Sequence, residues 1–322
     1  MIEAAIFGLG RWGRSLVEAA GGALRFTHAV EPDTVGAQAF AARHGLALHA
    51  GAEAVLADPA IRAVVLATPH SLHHQQVLAA AAAGKAVFCE KPLALTAADA
   101  RAMLTACRAA GVPMAVGHNR RFWPAMRALR ALIADGALGQ LLHVEAHNSN
   151  LNSDAVTGGW RLAPGESPAG GMTGAGLHAL DACIGLFGPV RRVTARLLTH
   201  PPVPAPRDSV SVLLEFANGT SGLMATIRAT PLFLRVHAFG TLASAEVLGE
   251  TELVLRRAGA PPETRRFAPE DALRAELDAF AAQVETGAPP AIAERDILAT
   301  VLGFEAVVRS AETGTTIDCD AP

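Results

Sequence analysis

Tyrosine is missing altogether from the 322 residues, and of the 27 basic residues only Lys85 and Lys91 are lysines, the other 25 being arginine. The first absence excludes any dehydrogenase chemistry whose proton donor is a phenol. The second shows that this chain writes positive charge as arginine, so a position that is lysine anyway calls for a chemical reason. Cysteine is scarce too: Cys89, Cys107, Cys183 and Cys319 lie far apart with no C-x-x-C pair. They read as reduced thiols in a cytoplasmic protein, most of them buried as small hydrophobes. No window approaches the roughly 18 uninterrupted apolar residues of a spanning helix. The opening MIEAAIFGLG, with an acid at Glu3 and a glycine at Gly8, is unlike a secretory signal. A net charge of −3 with dispersed arginines leaves no basic stripe for phosphate backbones. Neither nucleic acid nor membrane is expected as a partner.

What the chain does have is 51% hydrophobic residues over a length sufficient for two cores. The first third alternates short apolar runs (Ile2 to Phe7, Phe26 to Val30, Ala63 to Ala67, Ala86 to Cys89, Met114 to Val116) with alanine-rich helical stretches. That rhythm predicts a parallel sheet wrapped by helices. After about residue 120 it changes to consecutive strand-like runs from Leu141 to Arg256, several turned by Asn218-Gly219 or lone glycines, with two helical runs closing the chain. Tight turns between successive strands imply an antiparallel-rich sheet in a second domain. The Pro201 to Pro206 stretch reads as a loop. The expected division is 1–119 and 120–322, an α/β domain followed by an α+β domain.

Gly8-Leu9-Gly10-Arg11-Trp12-Gly13 follows the first strand and opens the first helix, the context that a dinucleotide-binding turn requires. Gly8 permits the turn, Gly10 lets a pyrophosphate approach the backbone, and Gly13 allows close packing of helix on strand. Glu31, 18 residues after Gly13 at the end of the second strand, is placed to accept hydrogen bonds from a ribose 2′-hydroxyl. A carboxylate there repels a 2′-phosphate and favours NAD, while Arg11 and Arg14 leave NADP as the alternative. Thr68-Pro69 and Glu90-Lys91-Pro92 stand at carboxyl ends of strands, where open α/β sheets bind ligands. The Glu-Lys-Pro puts an ammonium into the crevice, and its proline is a candidate for a cis bond.

These residues resemble the glucose-fructose oxidoreductase, inositol dehydrogenase and rhizopine-catabolism (Gfo/Idh/MocA) family. The resemblance runs through the GLGRWG turn, Ala67-Thr68-Pro69, Gly84-Lys85 to Glu90-Lys91-Pro92, Gly117-His118-Asn119-Arg120-Arg121-Phe122, and Gly170-Gly171 leading to Gly176-Leu177-His178-Ala179-Leu180-Asp181. It implies an N-terminal Rossmann domain, a C-terminal domain with a large open, mostly antiparallel sheet, a nicotinamide cofactor, and assembly as a homodimer or homotetramer. It also implies that Lys91 is catalytic with His178 beside it, and that His73 lies near the nicotinamide. The substrate implied is a small hydroxy compound such as a sugar, cyclitol or derivative.

One departure matters. Where the family has an aspartate four residues before the histidine, this chain has Gly174. His178 is then expected to act alone as general base, or with a carboxylate supplied by substrate or elsewhere in the chain; a non-catalytic cofactor- and ligand-binding regulator is the competing reading. Asp181, one helical step beyond His178, is expected to orient its imidazole, with local capping or pairing as the alternative. Arg121, His147, Trp160, Arg161 and Thr173 are the expected substrate contacts, the arginines suiting a carboxylated substrate. Asn148 and Asn150 are further polar candidates. His70, His73 and His74, and likewise His143, Glu145 and His147, are read as non-metal groups, so no metal is expected.

Overall fold

A computed structural model describes residues 1–151, 159–163, 165–200 and 208–322; the expected loop at Pro201 to Pro206 lies outside them. In chain order the first elements are β1 (Ile2–Phe7), α1 (Arg11–Ala19), β2 (Leu24–Val30), α2 (Thr34–His44), β3 (Ala47–His49), α3 (Glu53–Ala57), β4 (Ala63–Leu66), α4 (His70–Ala82), β5 (Ala86–Glu90), α5 (Ala97–Ala109) and β6 (Met114–Gly117). Next come α6 (Pro124–Ala134), β7 (Leu141–Ser149), α7 (Leu177–Phe187), β8 (Val190–Thr199), β9 (Asp208–Phe216), β10 (Ser221–Ile227) and β11 (Phe233–Gly240). The chain closes with β12 (Ala243–Leu248), β13 (Glu252–Arg257), β14 (Glu263–Arg266), α8 (Ala272–Thr286), α9 (Glu294–Thr313) and β15 (Ile317–Asp318).

Two compact units result: Met1–Asn119 with Asp271–Ile297, and Arg120–Glu270 with Leu298–Pro322. The assignment of 120–322 to one domain is thereby corrected. Residues 271–297 belong with the first unit because α8 presents Leu277, Phe280 and Ala281 to the core built from Ile2, Ile6, Leu16, Phe26, Val65 and Phe88. Burying that apolar face is the main stabilisation a helix of this kind receives.

The first unit is a parallel sheet of order β3-β2-β1-β4-β5-β6. The order reverses between β1 and β4, and such a switch point is where ligands meet the carboxyl ends of the strands. β4 and β5 are buried at every residue, which is why AVVL and AVFCE show no alternation. Helix ends follow local chemistry: Asp33 accepts from the Gly36 amide to start α2, Thr96 from Asp99 to start α5, and Asp271 from Leu273 and Arg274 to start α8. Lys85, for which the sequence offers no role, is buried and donates to the carbonyls of Asp58 (2.6 Å) and Ile61 (2.8 Å), tying down the connection into β4.

The second unit is a nine-stranded sheet, β14-β13-β12-β11-β7-β10-β9-β8-β15, antiparallel except where β7 meets β10. Along β9 burial alternates nearly residue by residue, the signature of one face packed on a core and the other open. Val144, Ala146, Val212, Leu214 and Met224 point inward, while Leu213 and Leu223 stand opposite one another on the other face, 45% and 48% exposed. Among the described residues no helix is long and apolar enough to cross a membrane.

Candidate active site

The glycine turn after β1 is a cradle that side chains would fill. Gly8 has φ +89°, and a Cβ there would lie 2.7 Å from the Ala67 carbonyl oxygen; at Gly13 it would lie 1.9 Å from the Gly8 oxygen. Between them a Cβ at Gly10 would meet nothing within 4 Å. Helix α1 starts there with no side-chain cap and no acid in its first turn, so its first N–H groups and positive dipole end suit an anion. Glu31 is fixed against this turn, its carboxylate accepting from the amides of Leu9 (2.8 Å) and Asp33 (3.2 Å). Arg14 donates to the Leu9 carbonyl (2.9 Å) and lies over the Phe40 ring, while Arg11 stacks by Trp12. Phosphate cradle and ribose-side carboxylate thus fit a nicotinamide dinucleotide, held by Gly8 to Gly13 and Glu31.

The ends of β4 and β5 complete this unit's ligand edge. Thr68 donates its hydroxyl to Gln76 (2.6 Å). His73 is fully buried, with ring nitrogens 2.9 Å from the Pro92 carbonyl and 3.2 Å from that of Thr68. It braces the two loops together from inside, where the family position suggested a group beside the nicotinamide. The Lys91–Pro92 bond is cis. Glu90, 5% exposed, accepts from the Lys91 amide at 3.3 Å, and burial pushes its carboxyl up to about 7 against the opposing pull of Trp12 and Lys91. Gly117 makes room for it: a Cβ there would come within 2.6 Å of Glu90 Oε1.

In the second unit His178 sits in the first turn of α7, directly after a π-helical turn, Met172–Gly176. Such turns widen a helix at functional positions and need support. Asn148, a further polar candidate from sequence, is fully buried on β7 and donates its amide to the Ala175 carbonyl, so it holds the turn. Asp208 accepts from the Gly171 amide (3.0 Å) and is held by the buried Arg228 guanidinium. Thr173, expected at the substrate, is 1% exposed and donates to the Pro168 carbonyl (2.6 Å); its role in this structure is to hold the same turn.

His178, 8% exposed, lines a cavity with Arg120, Trp123, His147, Arg235 and Val236. Asp181 and Arg121 line the same cavity. Asp181, expected to orient His178, and Arg121, expected to grip substrate, form a buried bidentate pair (Nε to Oδ2 2.9 Å, Nη2 to Oδ1 2.7 Å), with the Thr300 hydroxyl 3.5 Å from Oδ1. The pair forms because a buried carboxylate draws the planar guanidinium fork. Arg120 also lines the cavity, stacked on Trp123 at 5.0 Å, its guanidinium pushed down to about 10 by burial despite Glu250. Both members of the Arg-Arg doublet seen in the sequence line the cavity. His147 bonds the Ser149 hydroxyl and meets Phe233 edge-on at 5.4 Å; burial, then the Arg235 charge, holds its imidazole below the usual range. Arg161 lies over the Trp160 ring at 4.3 Å. Gly174 is exposed, and a Cβ on it would meet nothing within 4 Å.

The alternating trio on β7 is divided among separate partners: His143 with the Ser221 hydroxyl (2.7 Å), Glu145 with Arg235 (2.9 Å), and His147 with Ser149. Among the described residues no group of three His, Cys, Asp or Glu is placed to hold a metal ion.

The family profile described as "Oxidoreductase family, NAD-binding Rossmann fold" matches residues 2–118, and the "GFO/IDH/MocA C-terminal domain" matches 126–246. The chain is 30% identical to D-apiose dehydrogenase of Paraburkholderia graminis over 289 residues, 84% of this chain and 76% of that protein. It is 31% identical to trans-1,2-dihydrobenzene-1,2-diol dehydrogenase of Oryctolagus cuniculus over 242 residues, 72% of each. Its fold matches a levoglucosan dehydrogenase in complex with NADH and L-sorbose with a TM-score of 0.88, covering 100% of this chain and 99% of the other at 23% identity. Profiles, relatives and the cradle at Gly8 to Gly13 agree, and the chain belongs to the Gfo/Idh/MocA family of NAD-binding oxidoreductases.

Proposed function

We propose that this protein oxidises or reduces a hydroxyl-bearing carbon of a sugar, cyclitol or related hydroxy compound, with NAD as cofactor. The observation that carries the reading is His178, almost wholly buried yet lining a cavity beside hydrogen-bonding and cationic groups. When bound, the nicotinamide supplies hydride chemistry at its C4 position. On this reading His178 takes the proton of the substrate hydroxyl, and the Lys91 ammonium hydrogen-bonds the oxygen as negative charge develops there. Arg120 and Arg235 favour a substrate that carries a carboxylate or other anionic group, with Trp160 and Arg161 as further contacts. The names of the sugar and dihydrodiol dehydrogenases among the relatives support the same class. NAD is preferred to NADP because Glu31 occupies the ribose side of the turn.

The test is an assay with NAD and NADP against sugars, sugar acids, inositols and dihydrodiols, read by absorbance of the reduced cofactor. His178→Ala is expected to lower turnover by orders of magnitude with cofactor binding intact, and unchanged turnover would sink the assignment. A regulatory reading rests on Gly174, where the family has aspartate; tight cofactor binding without turnover of any of these compounds would favour it. Self-association through the open face of the second sheet is supported by Leu213 and Leu223, side by side and half exposed, and sedimentation of a Leu223→Glu variant tests it. Four free cysteines suit a reducing, cytoplasmic setting.

A further inference from the structure

Helix α8 carries a carboxylate where its apolar face should continue. Leu273, Glu276, Leu277 and Phe280 are spaced at three and four residues, so they share one face, and Glu276 is 2% exposed with neither carboxylate oxygen hydrogen-bonded. What it faces follows from register. Phe280 meets Phe88 of β5 edge-on, with ring centroids 5.7 Å apart. From Phe280 back to Glu276 is four helical residues, about 6 Å. From Phe88 on to Glu90 is two strand residues, about 6.6 Å on the same face of the sheet. Steps of equal length from a shared contact put the two carboxyl groups within reach of one another, and the charge of Glu90 acts on Glu276. The electrostatics agree: Glu90 and Asp271 push the Glu276 carboxyl well above its ordinary range, although burial contributes most. Glu90 itself has Oε1 buried without a partner.

We propose that Glu90 and Glu276 form a buried carboxyl pair holding at most one negative charge between them, and that this charge sets the preference of the site for oxidised over reduced nicotinamide. The inference rests on the NAD-dependent reading above. Glu276 has no donor on either oxygen and Glu90 has only the Lys91 amide and the Trp12 indole beside it, too little for both carboxyls to ionise side by side in a buried site. The charged and titratable groups facing the pair are Lys91 and Cys89 at the end of β5 and Asp271 at the start of α8, with the Trp12 indole of α1 beside Glu90. Glu90 ends the strand at the ligand edge of the sheet, so its anion attracts the positively charged oxidised ring, whereas the neutral reduced ring gains nothing from it. Glu276 touches no reacting atom; it is a positioning residue that acts through Glu90.

Dissociation constants of NAD and NADH, measured separately across the range from about pH 6 to about pH 8 by quenching of tryptophan fluorescence, test the proposal. In the wild-type protein the ratio of the NAD constant to the NADH constant is expected to fall by about tenfold over that range. Glu90→Gln is expected to flatten it. Glu276→Gln, whose amide can donate to Glu90, is expected to move the transition to lower pH; Glu276→Leu, which offers no donor, is expected to move it higher. A flat wild-type ratio, or a transition unmoved in both Glu276 variants, overturns the inference while leaving the oxidoreductase reading intact. Failure of either nucleotide to bind at all overturns that reading and this inference together.

Discussion

Asp181 and Glu276 are both helical carboxylates about 2% exposed, and they make opposite use of burial. Asp181 meets a guanidinium in bidentate geometry and a hydroxyl behind it. Glu276 meets another carboxyl and no donor. The first arrangement fixes the helix that carries His178 to the 3-10 turn of Arg121; the second leaves an unsatisfied acid beside the residue that precedes Lys91. Burial of a charged residue is therefore no evidence of stability by itself, since the sign depends on its partner.

Removing the partner's charge gives the largest effect. Asp181→Ala is expected to destabilise the protein by about 3–5 kcal/mol in urea titration, because the Arg121 guanidinium is left buried and uncompensated. Replacing both members with apolar residues should restore most of that loss; an equally unstable double variant would show that the pair's geometry, more than its charge, holds α7.

At Glu276 the expected sign is opposite. Glu276→Leu should raise stability by about 1–3 kcal/mol at pH 8, because it removes an unsatisfied buried acid. The pH dependence follows from folded-state carboxyls raised above their unfolded values, Glu90 from 4.5 to about 7 and Glu276 in the same direction, chiefly by burial. The unfolded chain then releases its protons first, so the contribution of this pair to stability is greatest at acid pH and declines as pH rises from about 4.5 through 7. The advantage of the variant should grow over the same interval in thermal melts. A loss of stability in Glu276→Leu at every pH would make Asp181 and Glu276 alike and remove the contrast.

The smallest change adds a third carboxylate, in the open. Gly174→Asp should alter stability by no more than about 0.5 kcal/mol, since the position is exposed and a Cβ there meets no atom within 4 Å. Its effect belongs in the pH profile of turnover, where a carboxylate four residues before His178 is expected to shift the rising limb of hydroxyl oxidation to higher pH by stabilising the imidazolium. An unchanged profile would show that His178 needs no such partner in this chain.

Much of this molecule is legible in residue order, and the illegible parts share a cause. The glycine turn, Glu31, Thr68-Pro69 and Glu-Lys-Pro could be placed because each depends on neighbours within a few residues. The parallel and antiparallel sheets were foreseeable from uninterrupted and alternating apolar runs. Short elements escaped: β3, α3, β14 and β15 are two to five residues long, too short to show a period. Partnerships across long separations escaped as well. Nothing near Arg121 announces Asp181, and the match of Asp208 with Arg228 beneath Gly171 is visible only once β9 and β10 pair. Glu276 left a trace, an acid in line with Leu273 and Phe280, but its meaning required knowing that α8 lies against β5 and not in the second unit.

The return of residues 271–297 to the first core also has a consequence for biosynthesis. A ribosome adding about 5–20 residues per second finishes the segment through Asn119 long before α8 emerges. For on the order of ten seconds or more the nascent nucleotide-binding unit lacks the side chains of Leu277, Phe280 and Ala281, and its β5 face stays open. During that interval the exposed strand face is a client for holding chaperones, and a ribosome stalled before Asp271 yields a chain whose first unit cannot close.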